Sequence, residues 1–529
     1  MTGQQTGSRA STGRARDVQR KRTVHLRTNR SGLAGYAARL PRISYRAALR
    51  RMPRAAWVCA LVACLNAVCW SIVSPPFQVT DEPDHFAYVK QLAETGALPS
   101  SGSQEVSSEE SQVMLALHSA EVILQPQNRA IASQAEQDQL QSALASASHD
   151  PRTGSPAAGV AATEPPLYYA LEAIPYDLAS SGSLLDRLEL MRLMSALFAG
   201  LSAMFVFLFV REALPREPWA WTVGGLSVAL APLLGFMSGA VNPDSLLCAV
   251  SAAVFYALAR AFRRGLDARA AAVIGGLTAI GLLTKLNFIG LVPGVLLGLI
   301  VVTVRAARVS GRGRACRWLA LACAIAFGPV MVYAAINVLS GHPLLGIVSS
   351  AIDTSHGSIL AQIDYIWQLY LPRLPGTVND FPGLSTTRQL WFDRYVGLYG
   401  WLDTTFPGWV NALALIPAGT IALLCARSLL AGRAQLRRRA GELAVYAAIA
   451  AGLLILIGAD SYRVFPANEA EYAQARYLLP LLVLLGAALA LAARGAGRRW
   501  GPTVGTLIVV LFLAHDVFSQ LQVVARFYG

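Results

Sequence analysis

The chain has 529 residues, of which 54% are hydrophobic and only 14% are charged. A soluble chain carries roughly 25% charged residues to wet its surface, so an array of soluble globular domains is excluded. The net charge of +14 is confined mostly to one tail, and the rest of the chain repeats apolar runs of about 18 to 23 residues, the thickness of a bilayer core.

Residues 1–55 hold thirteen Arg, Lys21 and a single acid, Asp17, and so carry nearly all of the excess charge. The segment is rich in Ser, Thr, Gly and Gln and lacks apolar periodicity. It reads as a disordered basic cytoplasmic tail that enforces topology and touches anionic lipid, not as a nucleic-acid-binding arm. No small-residue cleavage site follows the apolar stretch 56–73, which reads as an uncleaved first span. Ten more spans are expected at about 189–210, 218–238, 244–262, 268–284, 287–304, 317–338, 409–426, 440–459, 475–493 and 502–522. The chain is therefore an all-α polytopic membrane protein of about 11 transmembrane helices.

Alternate connections are rich in arginine: 260–269, 305–317, 427–439 and 494–499. With the tail inside, the positive-inside rule makes these cytoplasmic and places the C-terminus outside. Two long extracytoplasmic loops remain, 74–188 and 339–408. They divide the chain into an N-terminal transmembrane module, 56–338, which includes the first loop, the second loop itself, and C-terminal helices, 409–529. Within the first loop, 103–148 reads as short amphipathic helices on the membrane surface. All seven cysteines fall in or beside apolar spans, so neither a disulfide framework nor a metal pair is indicated.

Just past the first span, Asp81, Glu82, Asp84 and His85 place three carboxylates and an imidazole within five residues. Pro83 suits a first helical turn, so Thr80 or Asp81 can cap a helix while Asp84 complements its dipole. Clustered like charges also raise a carboxylate pKa, which is how a general base is made. Both readings stand on composition alone. Further polar motifs fall on the same face: Thr163-Glu164-Pro165-Pro166-Leu167-Tyr168-Tyr169, Ser238-Gly239 to Asn242-Pro243-Asp244, Thr284-Lys285-Leu286-Asn287, and Arg476-Tyr477-Leu478-Leu479-Pro480. Lys285, one of three lysines, is either a snorkelling side chain or a cation for an anionic head group. Arg476 is either an interfacial anchor or a phosphate partner. Arg187 and Arg192 are softer candidates. The aromatics of 391–403 either anchor at the interface or stack on sugar rings.

These motifs, in this order across residues 56 to 490, resemble an uncharacterised family of bacterial multi-pass membrane proteins related to the GT-C glycosyltransferases. The resemblance implies a GT-C-like enzyme that passes a hexosyl or pentosyl unit from a polyprenyl-phosphate carrier to an envelope glycan, lipid or protein outside the membrane, with inversion. It implies Asp81 as catalytic base with Glu82 as neighbour or alternative, and Lys285 and Arg476 as holders of the donor phosphate. Asp84, His85, Glu164, Tyr168, Asn242 and Asp244 complete the expected substrate-binding set, the role of Glu164 being open. Some relatives use a divalent metal, and Asp81, Glu82, Asp84 and His85 are the residues that could ligate one. The competing class is a transporter or flippase of a lipid-linked glycan, for which charged mid-span residues and broken paired helices would speak.

Overall fold

The fold is that of a computed structural model, which describes residues 52–529 except 100–106, 132, 153–158, 340–343, 346–357, 376, 378–380 and 469–471. The basic tail expected over 1–55 lies almost wholly outside the described residues. The first span, α1 (Arg54–Val73), stops where Ser74 turns extended ahead of Pro75. The first loop then folds into α2 (Glu82–Thr95), α3 (Ser108–Ala116), α4 (Ser119–Val122), α5 (Gln134–Ala147), a 3-10 turn at Gly159–Thr163, and α6 (Leu167–Leu178). Serine capping boxes, Ser107 with Glu110 and Ser133 with Glu136, set where α3 and α5 begin. A third box, Ser183 with Asp186, starts α7 (Leu184–Ala213) five residues ahead of the expected span.

The third expected span is broken. α8 (Pro218–Ala229) and α9 (Pro232–Ser238) meet at 54°, because Pro232 has no N–H to continue the ladder. There follow α10 (Asp244–Arg264), α11 (Ala268–Thr284), a 3-10 segment Leu286–Leu291, α12 (Val292–Ser310) and α13 (Arg312–Leu339). The described part of the second loop contains α14 (Ile359–Tyr370), a π-helical turn Arg388–Asp393, α15 (Arg394–Val396) and a two-stranded antiparallel hairpin. Its strands are β1 (Leu398–Tyr399) and β2 (Thr404–Thr405), in register Leu398 to Thr405. The chain ends in α16 (Gly408–Ala431), α17 (Arg433–Arg438), α18 (Ala440–Asn468), a 3-10 segment Ala475–Leu481, α19 (Leu482–Gly495) and α20 (Gly497–Tyr528).

Among the described residues nine helical segments are long and apolar enough to cross a membrane. The bent pair makes a tenth, and α11, with 17 residues, lies where the remaining expected span falls. The protein is thus an all-α multi-pass membrane protein. α7 and α10 form its centre, with 72% and 83% of their apolar windows buried, whereas α13 and α16, at 22% and 6%, turn their apolar faces outward. At one end the arginine-rich connections meet: Arg439 donates to the Ala213 carbonyl at 2.9 Å, Arg494 pairs with Glu217 at 3.4 Å, and Arg263 bonds to the Glu212 carbonyl. At the other end the last turn of α20 grips the first loop. Arg526 donates to the carbonyls of Val122, Gln125 and Asn128, and to Asp403 of the second loop at 3.1 Å.

Candidate active site

α2 begins at a strained residue. Asp81 precedes it with φ 65° and ψ 3°, and neither Asp81 nor Thr80 caps the helix with its side chain. Thr80 Oγ1 instead donates to the Gly400 carbonyl at 2.8 Å, and Trp401 Nε1 donates to the Phe77 carbonyl at 3.0 Å. The hairpin of the second loop therefore sits on the turn that carries Asp81. A left-handed non-glycine residue costs about 1 kcal/mol or more and persists only where its surroundings hold it. Its effect here is to turn the Asp81 carboxylate away from α2. Arg476 Nη2, from the 3-10 segment ahead of α19, donates to Asp81 Oδ2 at 2.5 Å.

Glu82, one residue on, points the opposite way. It is fully buried and accepts from Arg192 Nε at 2.8 Å, Arg192 Nη2 at 2.7 Å, the Phe77 amide at 3.0 Å and the Val241 amide at 3.1 Å. Arg192 spends its remaining donors on the carbonyls of Ser71, Ser74 and Pro75 and on Glu189. With both carboxylate oxygens doubly engaged, Glu82 ties the head of α2 to α7 and to the 238–244 turn. Glu82 thus faces Arg192, while Asp81 faces Arg476.

The remaining motifs join through a chain of polar contacts. Asn242 Oδ1 accepts from the Asp244 amide at 3.0 Å, which shapes the Asn-Pro-Asp turn at the start of α10. Lys285, extended between α11 and the next 3-10 segment, donates to Asp244 Oδ1 at 2.8 Å. The Leu286 amide donates to Glu164 Oε2 at 3.0 Å, and Tyr88 of α2 donates to the Glu164 carbonyl at 3.2 Å. His85 shares a 3.0 Å hydrogen bond with the Tyr169 hydroxyl, and the Tyr169 ring stacks on Tyr88 with centroids 3.7 Å apart. Asp81, His85, Glu164, Asn242, Asp244, Lys285 and Arg476, from five separate segments, thus form one cluster. Asp84 is half-buried in the first turn of α2. Tyr168 is set behind the cluster, its hydroxyl bonded to Ser195 Oγ at 2.8 Å. Arg187 is likewise engaged away from it, with Glu109 and Tyr176.

The electrostatics follow from burial and neighbours. Burial pushes the Asp81 carboxyl up, but the Arg476 guanidinium, with Lys285 beyond, holds it below the ordinary carboxylate range. Burial, aided by Lys285, lowers His85 to about 3 and keeps it neutral. Glu164 is raised by burial against the opposing pull of Lys285. Burial would strip Lys285 of its proton, yet the Asp244 and Glu164 carboxylates raise it instead, so it stays charged. Among the described residues no three His, Cys, Asp or Glu side chains are grouped to hold a metal ion. Of the four residues that could ligate one, Glu82 faces Arg192 and His85 faces Tyr169.

Among the described residues, several polar atoms of the cluster are buried without a partner, Asp244 Oδ2 included, and Arg476 contributes two of them. Its Nε and Nη1 are buried and have no hydrogen-bond partner, as does the Asn242 amide nitrogen. Arg476 lines a narrow cleft together with Thr80, Gln474, Arg394 and the apolar Phe236 and Met237. Sequence reasoning passed over Tyr169. Which of the adjacent tyrosines 168 and 169 faces the cluster depends on the phase of α6, and composition does not set that phase.

Fold and cluster together define the class: a multi-pass helical membrane protein with the Asp81–Arg476 and Asp244–Lys285 pairs at the end that bears the two long loops. The chain belongs to the predicted membrane protein family DUF2142, whose model matches residues 51–485. All five motifs lie inside that stretch. Among solved structures, the chain is similar to the oligosaccharyltransferase of Archaeoglobus fulgidus. The crystal structure tethered by a disulfide to an acceptor peptide containing the NVT sequon is matched with 10% identity and a TM-score of 0.41, over 90% of this chain and 55% of that one. The apo crystal structure is matched with 11% identity and a TM-score of 0.40, over 89% and 56%. The chain spans about half the length of these structures. No curated protein matches it.

Proposed function

We propose that the protein is a membrane glycosyltransferase that moves a sugar from a polyprenyl-phosphate carrier to an extracytoplasmic envelope acceptor, with Asp81 as the base. The observation that carries this reading is the pairing of Asp81 with an arginine that keeps two buried donors unused. A proton acceptor and an anion holder meet at one point, beside a cleft, where spans give way to loops. A polyprenyl-phosphate sugar needs that placement, because its tail stays in the bilayer and its phosphate at the surface.

In the transfer, the acceptor hydroxyl oxygen forms a bond to the anomeric carbon and passes its proton to Asp81. The bond from that carbon to the phosphate oxygen breaks, and polyprenyl phosphate departs with the electron pair. Direct displacement inverts the anomeric centre. Arg476, supported by Lys285, offsets the charge that develops on the phosphate, so no general acid is required. Glu82 and Arg192 serve as the frame that holds the Asp81 turn.

The test is sugar transfer in proteoliposomes from a panel of labelled polyprenyl-phosphate sugars to crude envelope acceptors. Asp81→Asn should fold normally and lose at least about a hundredfold in rate, the scale of a general base. Glu82→Gln should instead lower thermal stability by about 3 kcal/mol or more, as a broken buried pair does. Undiminished transfer by Asp81→Asn would sink the assignment. One observation favours transport: the α8–α9 break resembles the discontinuous helices of carriers. Movement of intact lipid-linked sugar across the same vesicles, without transfer, would decide for that reading.

A further inference from the structure

We infer that Asp81 is a built-in stand-in for the donor phosphate: it occupies Arg476 in the resting protein, and the arriving phosphate displaces it and so releases the base for the acceptor. This rests on the reading of Asp81 and Arg476 given above and adds an order, donor before acceptor.

The cluster and the frame behind it hold two kinds of ion pair. Arg192 and Glu82 form a closed one, with paired contacts of 2.7 and 2.8 Å and every other donor of the arginine satisfied by carbonyls or Glu189. Nothing in it can be exchanged without leaving a buried charge bare. Arg476 and Asp81 form an open one. A guanidinium is a fork suited to two-point recognition of a carboxylate or phosphate. Here a single nitrogen, Nη2, engages Asp81, while Nε and Nη1 stay buried and unpaired. An unmade hydrogen bond on a buried charged donor leaves its full desolvation cost uncompensated. A phosphate whose two charged oxygens reach Nε and Nη1 is an anion that recovers this loss.

Lys285 acts beside Arg476 from within its own ion pair. Lys285 is held at 2.8 Å by Asp244, both side chains being less than a tenth exposed. The exchange is therefore one anion for one anion on Arg476, which leaves its charge balanced. Asp81 is free to make the exchange: it makes no cap bond to its own helix and keeps 23% of its side chain exposed, against 6% for Arg476. Once away from the guanidinium it becomes more basic, since the arginine is what holds its proton affinity down.

Farnesyl phosphate, titrated against purified protein in detergent with farnesol as control, tests the competition. The wild type should bind the phosphate and not the alcohol. Asp81→Asn should bind it about tenfold more tightly, because the internal competitor is gone, and Arg476→Gln should lose it. Equal or weaker binding by Asp81→Asn, or equal binding of farnesol, overturns the proposal. Hydrogen exchange in the wild type alone is a second measure. Amides of 79–85 should exchange faster on adding farnesyl phosphate, and slower or unchanged exchange contradicts displacement. The two ideas separate cleanly. Tighter binding with undiminished transfer by Asp81→Asn removes the base and keeps the competition, whereas unchanged binding with lost transfer does the reverse.

Discussion

His85 shows how burial fixes a protonation state in the cluster. Held neutral, with its pKa lowered to about 3, it takes up fewer protons than an unfolded histidine, whose pKa lies near 6.5. The stability it contributes is complete above about pH 6.5 and is lost as pH falls toward about 3, by at most about 1.4 kcal/mol per pH unit. The melting temperature in detergent should decline through that window, and His85→Gln, which has no proton to gain, should flatten the decline. A slope identical to wild type would mean that His85 is not held neutral. Adjacent residues also divide here in a way that spacing does not reveal. The sequence shows that Asp81, Glu82, Asp84 and His85 are too many for one helix cap. It does not show that φ at Asp81 is positive, and that one torsion sends Asp81 to Arg476 and Glu82 to Arg192.

Elements are legible in the sequence to the degree that their signals are local. Length and apolarity mark the spans, and the serine capping boxes lie openly in the first loop. The break at Pro232 is equally visible as a residue, but its consequence depends on a distant partner. α9 leans on α1 so closely that a Cβ on Gly235 would collide with the Trp70 ring, and one on Gly239 would lie 2.8 Å from the Ala67 carbonyl. Trp70 cannot yield, because its indole nitrogen donates to Asp516 at 3.0 Å and its ring packs on Phe236 and Tyr399. Gly235→Ala should therefore lower stability by about 1 to 3 kcal/mol through overpacking. Gly276→Ala on α11, where a Cβ meets nothing within 4 Å, should be tolerated. Equal melting temperatures for the two variants would show that the α8–α9 bend is not fixed by this contact.

Across the whole molecule, the two long loops are joined to each other and to the last helix. Arg526 ties the first loop to Asp403, both of them side chains with 6% exposure. Removing the arginine alone leaves Asp403 buried and unpaired, at a cost of about 3 to 5 kcal/mol. Arg526→Ala should open the first loop to trypsin at Arg129 and Arg152, and Arg526→Ala with Asp403→Ala should recover part of the protection. Protection unchanged in the single variant would show that the loops are held elsewhere. Periodicity carries no information about such joints, since they link residues hundreds of positions apart.

Asp81 and Arg476 lie 395 positions apart. At roughly 5 to 20 residues per second, a ribosome takes about 20 to 80 s to travel from one to the other. Throughout that interval the nascent chain holds the carboxylate without its guanidinium, and the strained turn without the hairpin that braces it. A half-inserted chain therefore has no assembled charge site.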